Sequence, residues 1–191
     1  SDLVKYFLKE MIILKLNEGF VQIYTGNGKG KTTAAIGQGI RAYGNGLKVI
    51  MVQFLKSGKT GELNTIDELG ENFEIFRFEK KRGFVWTLTE EEKLEVKKEV
   101  KVAYDFILDV IENCKCDMLI IDEIMGVLKN EFLSVEDVLN LIRKKPKNME
   151  LIMTGRNVPE EIVDKANLVT EMKEIKHYYK EGVPARKGVE F

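Results

Sequence analysis

Two residue types that carry much of protein chemistry are nearly missing here. The sequence has one histidine, His177, and two cysteines, Cys114 and Cys116, one residue apart. Two cysteines build no disulfide framework, and with a single histidine they complete no four-ligand zinc site. They read as two semi-buried thiols near a strand, and such low cysteine use fits a reducing compartment. Long apolar runs are also missing. The first one, Met11-Ile12-Ile13-Leu14, is far too short to span a bilayer. Asp2 and Glu10 are at odds with the basic start and uniform apolar core of a secretory leader. The expectation is a soluble cytoplasmic protein. Nor is there a charge excess. Lys plus Arg number 30 and Asp plus Glu 31, a net charge of -1, so no bulk field draws the chain to nucleic acid or a membrane. A local basic patch is still compatible with that balance. There is no internal repeat, low-complexity tract or Pro/Gly/Ser linker. The 191 residues therefore read as one domain over 19–191, after an extension, 1–18, that is either an amphipathic helix packed on the body or a lid.

What is present is alternation. Apolar runs at Phe20–Thr25, Lys48–Phe54, Phe73–Phe78, Asp117–Asp122, Met149–Thr154 and Leu168–Met172 are continuous rather than alternating, as in parallel strands covered on both faces. Helical patterns lie between them. Lys31–Tyr43 stops at Gly44. A long helix starts near Thr89, with Glu92 completing a capping box, and carries Val96, Val100, Ala103, Ile107 and Val110 on one face. Another helix starts at Ser134 with Asp137 as capping partner, and Pro159 stands where a first helical turn accepts it. The pattern predicts an α/β fold: a mainly parallel six-stranded sheet with helices on both faces.

The first strand runs into TGNGKGKTT, residues 25–33. The phosphate-loop pattern G-x-x-x-x-G-K-[ST] requires glycine at position 25; here that residue is Thr25, and the glycine follows at 26. Strand, glycines, GKTT and helix still agree. Gly26, Gly28 and Gly30 let the backbone turn its N–H groups inward. Together with the positive end of the next helix, those amides make an anion site. Lys31 reaches phosphate oxygens and the Thr32 hydroxyl is placed for Mg²⁺; the bland reading is a glycine-rich turn without ligand. Four apolar residues followed by Asp122-Glu123 set two acids at a strand's carboxyl edge, where open parallel sheets bind ligands. Their bland reading is a strand ending in a solvated turn. Loop and acids together imply a nucleoside triphosphate with Mg²⁺ on a P-loop NTPase, RecA-like architecture. They do not select a reaction. Lys29 and Arg156 are candidate contacts to a transferred phosphate.

Longer strings select one. GNGKGKTTAAIGQGIRAYGNG at 26–46, VQFLKSG at 52–58, GFVW at 83–86, IIDE at 120–123, LIMTGRNVP at 151–159, ANLVTEM at 166–172 and IKHYYKEGVPARKGVEF at 175–191 resemble the ATP:corrinoid adenosyltransferases of the cobalamin pathway. The resemblance covers residues 20–191, and the shifted phosphate loop is that family's own form. It implies that Co(I) of a corrinoid attacks the 5′ carbon of ATP and that tripolyphosphate leaves. The metal is then the nucleophile, and the protein needs no catalytic triad. ATP is implied to lie reversed, its terminal phosphate deep in the loop. The resemblance assigns Asn27, Gly28, Lys29, Gly30, Lys31, Thr32 and Thr33 to the phosphate loop, with Thr25 filling the missing corner beside Gly26. It makes Thr32 and Glu123 ligands of Mg²⁺ or Mn²⁺, with Asp122 beside them, and places Arg41 near the nucleotide. Phe84 and Trp86 become the aromatic pair beside the corrin, an apolar wall that denies cobalt a lower ligand. A flavoprotein reductase and a homodimer are implied as partners.

Alternatives stand beside these assignments. Alternating aromatics are most often a buried strand face, although Gly83 and the Lys80-Lys81-Arg82 run favour a loop; that basic run reads as solvated. Arg156 contacts phosphate or corrinoid, or forms a surface salt bridge. His177 reads as a packed or partly exposed histidine rather than a cobalt ligand. After Asp-Glu the family carries a polar residue and a tyrosine, whereas this chain has Ile124-Met125-Gly126-Val127. The rival functions are another P-loop ATPase or kinase and a non-catalytic corrinoid or nucleotide carrier. A nucleic-acid motor is disfavoured by neutral charge and the lack of a basic aromatic strip.

Overall fold

The computed structural model describes residues 15–56 and 58–191. The expected helix or lid over 1–18 therefore falls almost wholly outside the described residues. Six strands form one sheet: β1 (Val21–Thr25), β2 (Val49–Gln53), β3 (Phe73–Phe76), β4 (Met118–Asp122), β5 (Glu150–Thr154) and β6 (Leu168–Glu171). Between them run α1 (Lys31–Gly44), α2 (Gly61–Asp67), α3 (Glu90–Glu112), α4 (Ile124–Lys129), α5 (Val135–Lys144) and α6 (Glu160–Val163). The sheet order is β3-β2-β4-β5-β1-β6, and every pairing is parallel.

Strand residues alternate between two cores. Ile23, Val52, Leu119, Ile121, Leu151 and Met153 face α3 and α5, which contribute Val100, Ile107, Val138 and Leu141. Tyr24, Val49, Met51, Ile120 and Ile152 face α1, which contributes Ala35, Ile36 and Ala42. Burial on both faces explains why these strands carry continuous apolar runs. The sixth run departs from that expectation. Leu168 and Val169 are exposed, because β6 is an edge strand paired on one side, to β1. Both predicted capping boxes form. Thr89 accepts from the Glu92 amide and Ser134 from the Asp137 amide, with the acid answering in each case. Pro159 stands one residue earlier than expected, at the N-cap of α6.

Parallel pairing gives the sheet one carboxyl edge. The segments leaving it follow the strand order: the aromatic loop after β3, Lys56 after β2, Asp122-Glu123 ending β4, Thr154 to Arg156 from β5, the phosphate loop after β1, and the C-terminal segment after β6. At about 4.8 Å per strand, the aromatic loop and the phosphate loop leave the edge roughly 19 Å apart.

Candidate active site

The phosphate loop ends in a helix that lacks a side-chain cap. The N-cap of α1 is Gly30, at φ 117°, and its first turn holds no acid. By contrast, α3 and α5 begin with capping boxes and acidic first turns. The amides of Lys31, Thr32 and Thr33 are thus left to an anion. Gly26 and Gly28 answer to a close neighbour. A Cβ on either would lie 2.4 or 2.6 Å from the Met172 carbonyl oxygen. The Gly28 N–H donates to that same carbonyl at 2.6 Å. The Gly28 amide thus anchors the loop to the chain beyond β6. Thr25 is buried, and its carbonyl accepts from the Met172 amide at 2.8 Å. The corner residue therefore belongs to the frame of the loop. Thr33 is exposed on the first turn.

Lys31 folds back and donates to the Gly28 carbonyl at 2.9 Å. Burial, then the nearby charge of Arg156, lowers its pKa. Lys29 turns outward to Glu190 at 3.1 Å and to the Tyr178 hydroxyl at 3.3 Å. Arg186 and Tyr178 also hold Glu190, and they keep its carboxyl well below the usual range. A cleft of about 520 Å³ lies between loop and C-terminal segment. It is lined by Asn27, Gly28, Lys29, Lys31 and Arg156 on one side and by Glu174, His177, Tyr179, Lys180 and Glu190 on the other. The structure so brings Arg156 to the phosphate loop. His177 is partly exposed there, and its Nδ1 accepts from the Tyr179 amide.

Thr32 and the strand-end acids also meet. Asp122 is 0% exposed. Its Oδ1 accepts from Thr32 at 2.9 Å and from Thr154 at 2.6 Å. Its Oδ2 accepts from Gln53 at 3.1 Å and from Lys56 at 2.6 Å. Glu123 adopts φ 63°, and its amide donates to the Thr154 hydroxyl. Burial, then the charge of Asp122, raises the Glu123 carboxyl pKa. Beyond it, the departure at Met125-Gly126 has a steric account. Met125 is buried and packs against Gly155, where an added Cβ would sit 2.6 Å away. Gly126 leaves room for the Glu123 carboxylate, since a Cβ there would lie 2.9 Å from Oε1.

Sequence reasoning assigned no role to Gln53, Lys56 or Thr154. Their signal was a polar residue closing, or just beyond, an apolar strand run. Arg77 extends the set by donating to Gln53 at 2.8 Å.

Two candidates lie apart from the loop. Arg41 is exposed in the last turn of α1, ten residues and about 15 Å along the axis from Lys31; it donates to Gln38. Phe84 and Trp86 leave from β3, on a loop with a 3₁₀ turn at Val85–Thr87. They are 67% and 79% exposed, which overturns the buried-strand alternative. Their rings stack at 4.5 Å with 4° between planes. Arg82 is not part of a solvated run. Its guanidinium holds Glu99 at 2.6 Å and Glu95 at 2.7 Å, which fixes the aromatic loop to α3. The thiols also differ from expectation: Cys114 is exposed, and Cys116 is buried, with burial pushing its pKa up to about 12.

Known proteins are similar to this chain. Residues 17–191 match the model of the family described as ATP:corrinoid adenosyltransferase BtuR/CobO/CobP. The corrinoid adenosyltransferase of Escherichia coli K12 is 33% identical over 175 residues, 91% of this chain and 86% of that protein. The corrinoid adenosyltransferase CobA of Salmonella typhimurium LT2 is 32% identical over 174 residues, with the same 91% and 86% coverage. Among solved structures, the flagellar accessory protein FlaH of Methanocaldococcus jannaschii superposes with a TM-score of 0.53 at 17% identity, over 82% of this chain and 72% of that one. A KaiC-like protein of Pyrococcus horikoshii gives 0.50 at 17%, over 83% and 75%. These last two likenesses speak to the fold alone.

Proposed function

The chain belongs to the ATP:corrinoid adenosyltransferase family, and from that premise we propose that it moves the 5′-deoxyadenosyl group of ATP onto Co(I) of a corrinoid. The cobalt lone pair attacks C5′, the C5′–O bond breaks, and its electrons leave on tripolyphosphate. The protein supplies position and charge rather than a nucleophile. The observation that carries the reading is the family match over residues 17–191; the uncapped N-terminus of α1 with Lys31, set beside Asp122-Glu123, supports its triphosphate end.

In this reading the amides of Lys31–Thr33, with Lys31, Lys29 and Arg156, hold the triphosphate and stabilise it as it leaves. Asn27, Gly28 and Gly30 shape the cradle, and Thr25 and Gly26 fix its frame. Arg41, at the far end of α1, is assigned to the nucleotide only through the family pattern. The donor set fits a hard cation: Thr32 Oγ1 and two carboxylates are the oxygens Mg²⁺ accepts while keeping waters and phosphate. Both Asp122 oxygens are taken by four protein donors, so Thr32 and Glu123 would be the direct ligands and Asp122 would orient Thr32. Mg²⁺ or Mn²⁺ bound there would neutralise triphosphate charge. Phe84 and Trp86 present an exposed ring stack that offers cobalt no lone pair. The same reading makes the partners a cobalamin- or cobinamide-type corrinoid and a flavoprotein reductase, in a cytoplasmic homodimer.

The test is anaerobic: ATP, Mg²⁺ and chemically reduced cobalamin, followed by loss of the Co(I) absorbance. Loss that needs both ATP and protein, with tripolyphosphate as co-product, is expected. Release of orthophosphate without a change at cobalt would move the chain to the ATPase reading. ATP binding without turnover would leave a carrier.

A further inference from the structure

Lys56 has a position that the proposed transfer does not explain. Its ammonium lies 2.6 Å from Asp122 Oδ2 and 3.0 Å from Thr32 Oγ1. Thr32 gives its own proton to Asp122 Oδ1. The Lys56 bond therefore takes one of the two Oγ1 lone pairs and sets a positive charge beside the one left for a metal ion. Asp122 is fully buried, and a buried carboxylate with no nearby positive charge is strongly disfavoured. Lys56 supplies that charge while remaining 27% exposed at its side chain, so it has a way out to solvent.

The placement is built rather than incidental. Leu55 takes a left-handed φ of 55°, which is costly for a branched residue. The Leu55 amide donates to Glu79 at 3.2 Å, and the Phe54 amide donates to the Asp122 carbonyl at 3.0 Å. Arg77 ties the far side, donating to the Gly58 carbonyl and to Thr60. Both flanks of Lys56 are pinned, and the left-handed turn at Leu55 brings the Lys56 side chain back onto Asp122.

We propose that Lys56 is a resident cation: in the nucleotide-free protein its ammonium, held by Asp122, stands in for the divalent ion at Thr32, and it withdraws from Thr32 when the ion arrives with the triphosphate. The proposal rests on the reading of Thr32 as a metal ligand. Two cations on one hydroxyl oxygen repel each other, so each excludes the other. An ion alone meets the lysine, whereas an ion carried on triphosphate arrives with enough negative charge to displace it. The protein is thereby kept from holding a bare divalent ion.

The experiment is a Mn²⁺ titration followed by electron paramagnetic resonance, on wild type, Lys56→Gln and Lys56→Arg, with and without tripolyphosphate. Lys56→Gln is expected to bind Mn²⁺ alone about tenfold tighter than wild type, and Lys56→Arg, which keeps the charge, to stay as weak as wild type. Thermal unfolding is the second readout. Lys56→Gln should melt below wild type in chelator, with the gap narrowing under saturating Mn²⁺. Equal or weaker Mn²⁺ binding by folded Lys56→Gln overturns the proposal. So does a stability gap that Mn²⁺ leaves unchanged. Thr32→Val separates the underlying reading: if it binds Mn²⁺ with tripolyphosphate as wild type does, Thr32 is not a ligand, and the resident-cation proposal falls with that reading.

Discussion

Two carboxylates, fully buried Asp122 and half-buried Glu79, have opposite fates. Asp122 has a donor for each lone-pair direction it uses, while Glu79 has one oxygen on the Leu55 amide and the other buried without a partner. Burial raises the Glu79 carboxyl pKa, and the Leu55 hydrogen bond offsets only part of that rise. The sign follows from the proton. Folded Glu79 keeps its proton to higher pH than unfolded Glu79, so its stability is fully present below the unfolded pKa. It is lost as pH rises through the folded value. Replacing Glu79 with Gln keeps an acceptor for Leu55 and removes the buried charge. The expected outcome is that wild type and variant unfold alike in mild acid. The variant should become more stable by about 1 kcal/mol near neutrality, read as the difference between two melting-versus-pH curves. A constant difference across that range would remove Glu79 as its source. The sequence flags neither acid's fate. Asp122 was readable as a strand-end carboxylate, but Gln53, Lys56 and Thr154, which satisfy it, come from two other strands or strand ends, and a one-dimensional pattern carries no cross-strand register.

At the scale of elements, legibility followed length and burial. Central strands came through because continuous apolar runs have one physical explanation when both faces are covered. The helices α1, α3 and α5 came through because they span several turns or carry capping boxes. The short helices α2 and α4 did not, and α6 was signalled only by Pro159 at its start, since one or two turns repeat no apolar position often enough to show a period. The aromatic loop was ambiguous for a related reason: F-V-W alternates like a strand, and only its fixing by Arg82 to Glu95 and Glu99 shows what it is. That clamp is exposed on one side and carries little stability, so its effect should be local. Arg82→Ala is expected to leave the melting temperature nearly unchanged and to loosen the loop. Trp86 is the sole tryptophan, so fluorescence anisotropy reads this loop alone. It should fall in the variant, and corrinoid affinity should fall severalfold if the ring stack must be held in place to meet the macrocycle. Unchanged anisotropy would show that the loop is held by Val85 and Leu88, which pack on the core.

For the whole molecule, the strand order is the map of the reaction. One parallel sheet sends every functional segment off the same edge. The order β3-β2-β4-β5-β1-β6 strings them out as ring stack, Lys56, acids, Arg156, phosphate loop and C-terminal segment. The segments proposed to hold corrin and triphosphate therefore leave the edge roughly 19 Å apart, and since cobalt and the departing oxygen flank the single carbon C5′, both substrates reach inward from those segments to meet. Once that group has moved, the two products share no protein partner in this layout, and sites more than about 10 Å apart without shared partners contribute additively. Tripolyphosphate with Mg²⁺ at a hundredfold over its dissociation constant should stabilise the fold by about 2.7 kcal/mol. For a domain of this size that is a rise of roughly 5–11 °C in melting temperature. Adenosylcobalamin should add its own increment, and the two together should give the sum. Thermal scans with each ligand and with both decide this. A combined shift well short of the sum would place the corrin over the phosphate loop. A combined shift well beyond it would mean that one product orders the segments that hold the other, coupling the aromatic loop and the C-terminal segment across the sheet edge.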